Sequence, residues 1–185
     1  MNIERLNELA VVAHNTAKEK GFYDKPRSLK TALMLIISEV AETVEADRKN
    51  RRANPEMYKA QIGAMGQMAA YEKYIKDSLE AELAGTAIRL LDLCGYMGWE
   101  IQEGDLDAVK QQNSVEISEH LFDLVVVISG IETSVEWGID SMTRAQTWST
   151  LFHIAEDMLK IDLMYYIETE MAYNALRPYK HGKQY

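Results

Sequence analysis

Cysteine is almost missing from this 185-residue chain. Its single example, Cys94, lies in an apolar helical stretch and reads as a small buried hydrophobe, so no disulfide framework is available. Three prolines and ten glycines leave little room for linkers or disordered tails. The longest apolar run, Leu124 to Ile128, is far too short to cross a bilayer, so no membrane partner is expected. The opening residues do not read as a signal sequence, because Glu4, Arg5 and Glu8 interrupt them, and a reducing cytoplasm is the expected setting. Positive charge is also short: 20 Lys and Arg stand against 29 Asp and Glu, a net charge of -9. That balance argues against a nucleic-acid partner. It leaves a nucleotide substrate open, because clustered carboxylates can hold the metal that carries phosphates. Strand-like alternation is absent too. The expected fold is all-α, a helical bundle in a single domain spanning residues 1–185.

What the chain does have is helical periodicity punctuated by caps. Residues 3–20 carry Ile3, Leu6, Leu9, Ala10 and Ala13 on one side, and Gly21 is a C-terminal stop. Ser28 is the expected N-cap of the next helix. Asn54-Pro55 opens a helical segment to about Lys76, weakened at Gly63 and Gly66. Asp77-Ser-Leu-Glu80 resembles a capping box before a helix to about Ile101. Asn113-Ser-Val-Glu116 reads as a further cap, with a helix to about Trp137 whose stripe of Glu116, Glu119, His120 and Asp123 faces away from Leu121, Leu124, Val125 and Ile128. A long helical region, whole or broken, covers about Thr143 to Leu176, and Pro178 stops it. Glu82-Leu-Ala-Gly ahead of Trp99 echoes His120-Leu-Phe-Asp123 ahead of Trp137, with His153 to Lys160 as a counterpart of the earlier glutamate helix. This points to a possible internal duplication.

The chemistry concentrates in Leu33-Met-Leu-Ile-Ile-Ser-Glu39-Val-Ala-Glu42-Thr-Val-Glu45. Leu29, Leu33, Ile36, Ile37, Val40 and Val44 form one apolar face, while Glu39 and Glu42 project from neighbouring turns beside Leu35, Ala32 and Ala46. Two carboxylates close together in a half-buried place repel each other unless a cation sits between them. Oxygen pairs of this kind suit Mg²⁺; a solvated helix edge is the alternative. The next strong helix carries Glu82, Gly85, Arg89 and Asp92 as a stripe on an otherwise apolar surface. Arg89 and Asp92 are read either as an intrahelical pair or as part of a site.

These residues resemble the MazG-like, all-α nucleoside triphosphate pyrophosphohydrolases. The resemblance covers roughly residues 20–50, 80–101 and 167–183. Glu39 and Glu42 match the family's E-x-x-E motif, and Glu82 matches the first position of its E-x-x-D motif. Gly-Phe-Tyr-Asp-Lys-Pro-Arg before the first motif is similar as well. So is the tail Ala-Tyr173-Asn174-Ala-Leu-Arg177-Pro178-Tyr-Lys180-His181-Gly182-Lys183. The resemblance implies a MazG-like core of about 20–101 plus 167–183, with an inserted helical hairpin at about 104–164. It also implies Mg²⁺ (Mn²⁺ as an alternative), a homo-oligomer such as a dimer, and hydrolysis of a nucleoside triphosphate, or deoxynucleotide, to monophosphate and pyrophosphate.

In that scheme Glu39, Glu42 and Glu82 hold the metal, and Glu39, Glu42 and Glu45 are the catalytic carboxylates. Glu45 or Asp123 would take the proton of the attacking water. Arg177, Lys180 and Lys183 would clamp phosphates, with His181 as a further phosphate or backbone partner. Asn174 would bond sugar or base, Tyr173 or Tyr23 would stack on it, and Arg89 and Asp92 complete the candidate substrate contacts. One departure stands out: the acid expected to close E-x-x-D is Gly85. Asp92 lies about 10 Å further along the helix, too far for direct replacement. Asp123, as a metal ligand, or Glu45 are the expected substitutes. A descendant that binds nucleotide or a protein partner without turnover is the rival reading.

Overall fold

The computed structural model describes residues 2–106, 116–138 and 140–182, with 181 and 182 described by backbone alone. Eight α-helices are present among the described residues and no strand is: α1 Ile3–Glu19, α2 Leu29–Arg48, α3 Pro55–Met65, α4 Gln67–Tyr74, α5 Leu79–Met97, α6 Ile117–Glu136, α7 Asp140–Phe152 and α8 Leu163–Leu176. The all-α expectation is met. Among these residues no helix is long and apolar enough to cross a membrane.

The caps explain most boundaries. Asn2, Ser28, Asn54 and Asp162 each accept a hydrogen bond from a first-turn N–H of the helix that follows. The stretch from Asn54 to Lys76 is two helices, because Gly66 takes φ +83° and interrupts the ladder. The capping box expected at Asp77–Glu80 is not formed. Ser78 is the N-cap, and the buried Glu80 instead accepts from Arg52 Nε at 2.8 Å and from the Ala53 N–H at 2.9 Å. A carboxylate one turn into a helix that can satisfy an orphan loop N–H and an arginine together gains more than a reciprocal cap supplies. Helix α5 then ends at Met97, short of Ile101, on the left-handed Gly98.

Helix α5 is the axis of the fold. Leu79, Leu83, Ala84, Ala87, Leu90, Leu91 and Cys94 are all buried, and α1, α2 and α8 pack around it. Helix α6 lies on α2 and pairs with α7. The close approach of α1 depends on Gly95: a Cβ there would fall 2.5 Å from the Ala10 carbonyl oxygen and 2.7 Å from His14 Cβ. Gly95→Ala is therefore expected to destabilise the fold by about 1–3 kcal/mol, measured by urea denaturation, although alanine is the better helix former.

In the second half the helical region takes the broken of its two expected forms. Residues 143–176 do not form one helix: α7 ends at Phe152, a π-helical turn covers His153–Met158, and Lys160 adopts φ +58° before α8. His153 to Lys160 is thus no structural counterpart of α2. On α6, His120 lies on the buried side, at 3 % exposure, whereas Glu116, Glu119 and Asp123 are exposed. Asn113 falls outside the described residues.

Candidate functional site

Helices α2, α5 and α8, with the end of α1, enclose a cleft of about 650 Å³. Helix α2 turns Leu33, Ile36, Val40 and Thr43 inward. That orientation sends Glu39 and Glu42 to the cleft, one turn apart. Helix α5 sends Glu82, Gly85, Arg89 and Asp92 to the same space. Fully buried Thr43 and Thr86 anchor the two motifs alike, each donating its hydroxyl to a glutamate carbonyl one turn back, at 3.0 Å from Glu39 and from Glu82.

One oxygen from each of Glu39, Glu42 and Glu82 lies within 4.8 Å of the other two. Burial, reinforced by Glu39, Glu42 and the nearby Glu170, pushes the Glu82 carboxyl up to about 8. Three hard oxygen donors this close could hold a metal ion. Arg89 meets part of the excess charge. Its Nε and Nη2 both reach Glu39 Oε1 at 2.5 Å. Of the two readings of Arg89 and Asp92, the intrahelical pair is not made, because Asp92 is taken from elsewhere. Its Oδ1 accepts from the Tyr23 hydroxyl at 2.8 Å and lies 3.0 Å from His14 Nδ1, while desolvation raises its carboxyl above the usual range.

The cleft is also lined by basic side chains. Lys20, Arg27, Lys76 and Arg177 line the cleft, and none has a carboxylate within ion-pair distance among the described residues. Lys20 Nζ caps α8 by donating to the carbonyls of Ala175 and Arg177 at 2.8 and 2.6 Å. The chain past Pro178 is docked rather than trailing. The Lys180 N–H donates to the Lys20 carbonyl at 2.8 Å, and Asp24 receives both Lys180 Nζ, at 3.5 Å, and the Tyr179 hydroxyl.

Of the residues singled out in the sequence, Glu39, Glu42, Glu82, Arg89, Asp92, Tyr173, Asn174 and Arg177 meet in this one cleft. Several do not. Glu45 is half-buried outside the cleft and paired with Arg48 and Lys49 at 3.1 and 2.7 Å, because the helical repeat carries it off the cleft side. Asp123 stands exposed on α6 and is not part of the carboxylate group. Tyr23 is behind Asp92 rather than in the cleft, with its ring against His14 and Tyr96 at centroid distances of 4.7 and 5.2 Å. Tyr173 does line the cleft, but it is buried and stacks on Tyr71 at 4.1 Å, which commits its face to the protein instead of to a ligand. Lys180 pairs with Asp24 instead of lining the cleft. The His181 side chain and Lys183 lie outside the described residues.

Sequence reading missed Glu170 on α8, which points into the cleft. Its carboxyl is enclosed and pushed up to about 8, chiefly by desolvation and then by Glu39, with Asn174 and Tyr71 opposing. The available signal was spacing: Glu170 precedes Tyr173, Asn174 and Arg177 by three, four and seven residues, one helical face. These features define an all-α protein with an acidic, cation-compatible cleft that is also lined by basic side chains. Comparisons with protein-family models, with curated proteins and with solved structures find no match.

Proposed function

We propose that the chain is a divalent-cation-dependent nucleoside triphosphate pyrophosphohydrolase of the MazG-like kind, releasing monophosphate and pyrophosphate. The observation that carries this reading is the pairing, within one cleft, of three mutually close carboxylates with cations that have no acidic partner. A polyanion bridged to a carboxylate cluster by Mg²⁺ needs that arrangement of charge. Glu39, Glu42 and Glu82 would hold the ion, whose chemistry is to neutralise phosphate charge and polarise a water.

The remaining roles belong to the chain itself. Arg177 and Arg27 are the bidentate phosphate contacts, and Lys20 and Lys76 add positive potential. Asn174, bonded by Arg177 Nη1 at 3.3 Å, is positioned for a sugar or base. Both contacts to Asp92 end on Oδ1, leaving Oδ2 for a ligand hydroxyl. Self-association belongs to the same proposal; Phe122 and Val126 stand exposed on one side of α6.

A binding protein without turnover is the second reading, favoured by Gly85 in place of the closing acid. A panel of NTPs and dNTPs with Mg²⁺, scored for monophosphate and pyrophosphate, separates the two. Turnover of at least one nucleotide, lost about a hundredfold or more in Glu39→Gln, is expected. A nucleotide that raises the melting temperature but is never cleaved would establish the binding protein instead.

A further inference from the structure

Residue 85 offers no carboxylate, and two other helices fill the place its side chain would occupy. A Cβ built on Gly85 would lie 2.8 Å from Glu39 Oε2 and 3.7 Å from Glu170 Oε1. Glu39 reaches this spot with the oxygen that Arg89 does not hold, since both Arg89 contacts go to Oε1. Glu170 reaches it from α8. Residue 170 as a whole is partly exposed, yet Oε2 of its carboxyl is sealed from solvent and has no hydrogen-bond partner. Around it stand Glu39 from α2, Glu82 and Arg89 from α5, Tyr71 from α4, and Asn174 on its own helix. No ion pair to Glu170 exists among the described residues.

An enclosed carboxyl with an orphan oxygen beside a second carboxylate is costly, and packing does not demand it. Glutamine or methionine would fill the same volume without charge. The missing partner is one a hard cation supplies. We infer that Glu170 is a divalent-cation ligand on the Gly85 flank of the carboxylate cluster, donating from α8 the oxygen that α5 lacks. This rests on reading Glu39, Glu42 and Glu82 as a cation site. Glu170 lies outside the close group those three form, so it joins through Glu39, beside Gly85. An acid at position 85 and an acid at position 170 are then two ways of filling one place.

The test uses Mn²⁺ alone, titrated into the nucleotide-free full chain by calorimetry. The variants are Glu39→Gln, Glu170→Gln and a double variant that combines Gly85→Asp with Glu170→Gln. Glu170→Gln is expected to weaken Mn²⁺ about tenfold or more. The double variant is expected to recover to within about threefold of wild type, the acid having moved back to α5. The aspartate introduced at position 85 displaces only the flexible end of Glu39. Should Glu170→Gln fail to fold, Glu170→Asp, which shortens the reach by a methylene, carries the same expected loss. Unchanged Mn²⁺ affinity in Glu170→Gln, with Glu39→Gln still weakened, overturns the role of Glu170 and leaves the cation site standing. Wild-type protein that binds no Mn²⁺, or binds it regardless of Glu39→Gln, takes down the site itself.

Discussion

Glu82→Gln is expected to stabilise the cation-free protein while removing its activity. Glu82 stands close to Glu39, Glu42 and Glu170, and its own carboxyl is held up at about 8, first by burial and then by that company. Glutamine keeps the shape and removes the charge. Relief of burial and repulsion by about 1–2 kcal/mol corresponds to roughly 3–6 °C in melting temperature for a chain of this size. Loss of one of three oxygen donors should lower pyrophosphate release by about a hundredfold or more. Thermal melts in chelator and a pyrophosphate assay in Mg²⁺ measure the two effects on one preparation. The opposite signs matter most. A structural acid that simply holds helices together loses stability when neutralised, and a drop in melting temperature would assign Glu82 that role.

The second large effect is a pH dependence that divalent cations reverse. Glu82 and Glu170 both have folded-state values near 8, set first by desolvation and then by neighbouring carboxylates. In the unfolded chain a glutamate titrates at about 4.3. Below that value both states are protonated and neither group contributes a slope. Between about 4.3 and 8 the native state binds more protons, so stability falls as pH rises, and above about 8 the loss is complete. The melting temperature of the cation-free protein should therefore decline from pH 5 to pH 8, contrary to a protein held by salt-bridged acids. At the proposed cation site, Mg²⁺ or Mn²⁺ would take over the role of those protons. At pH 8, cation at about 100 times its dissociation constant should raise the melting temperature by roughly 5–10 °C. At pH 5.5 the rise should be much smaller, and binding near neutrality should release protons into the buffer. A melting temperature that climbs from pH 5 to 8 in chelator would show that these carboxylates are not forced together.

Both predictions depend on how α8 meets α2 and α5, and here sequence and structure part company. Periodicity and caps made the first half legible. Ser28, Asn54 and the apolar steps from Leu29 to Val44 are local signals, and local signals suffice for a helix and for which side it buries. Glu39 and Glu42 follow from that, because a helix that turns Leu33, Ile36 and Val40 inward has already decided where residues 39 and 42 point. The same logic placed Glu82, Arg89 and Asp92 on one stripe of α5.

Partners were another matter. Arg89 and Asp92 are natural neighbours on one helix, yet Arg89 chose Glu39 and Asp92 chose His14 and Tyr23. An exposed intrahelical pair is worth a few tenths of a kcal/mol, and a half-buried contact between helices outweighs it. Glu45 belongs to the same acidic run as Glu39 and Glu42, but six residues is not a whole number of turns, and it pairs with Arg48 and Lys49 outside the cleft. Glu170 is 85 positions from Gly85 in the chain, and nothing local links an absent side chain on α5 to a glutamate on α8. The sequence by itself determined an all-α chain, the inward faces of α2 and α5, and four of the cleft's carboxylates, Glu39, Glu42, Glu82 and Asp92, since helical geometry over a few turns suffices for each. Only the tertiary structure decided that Arg89 balances Glu39, that Tyr173 turns its ring to Tyr71, and that the Glu170 carboxyl comes up against Gly85. Those contacts are set by the packing of separate helices, where burial, rather than spacing, selects the partner.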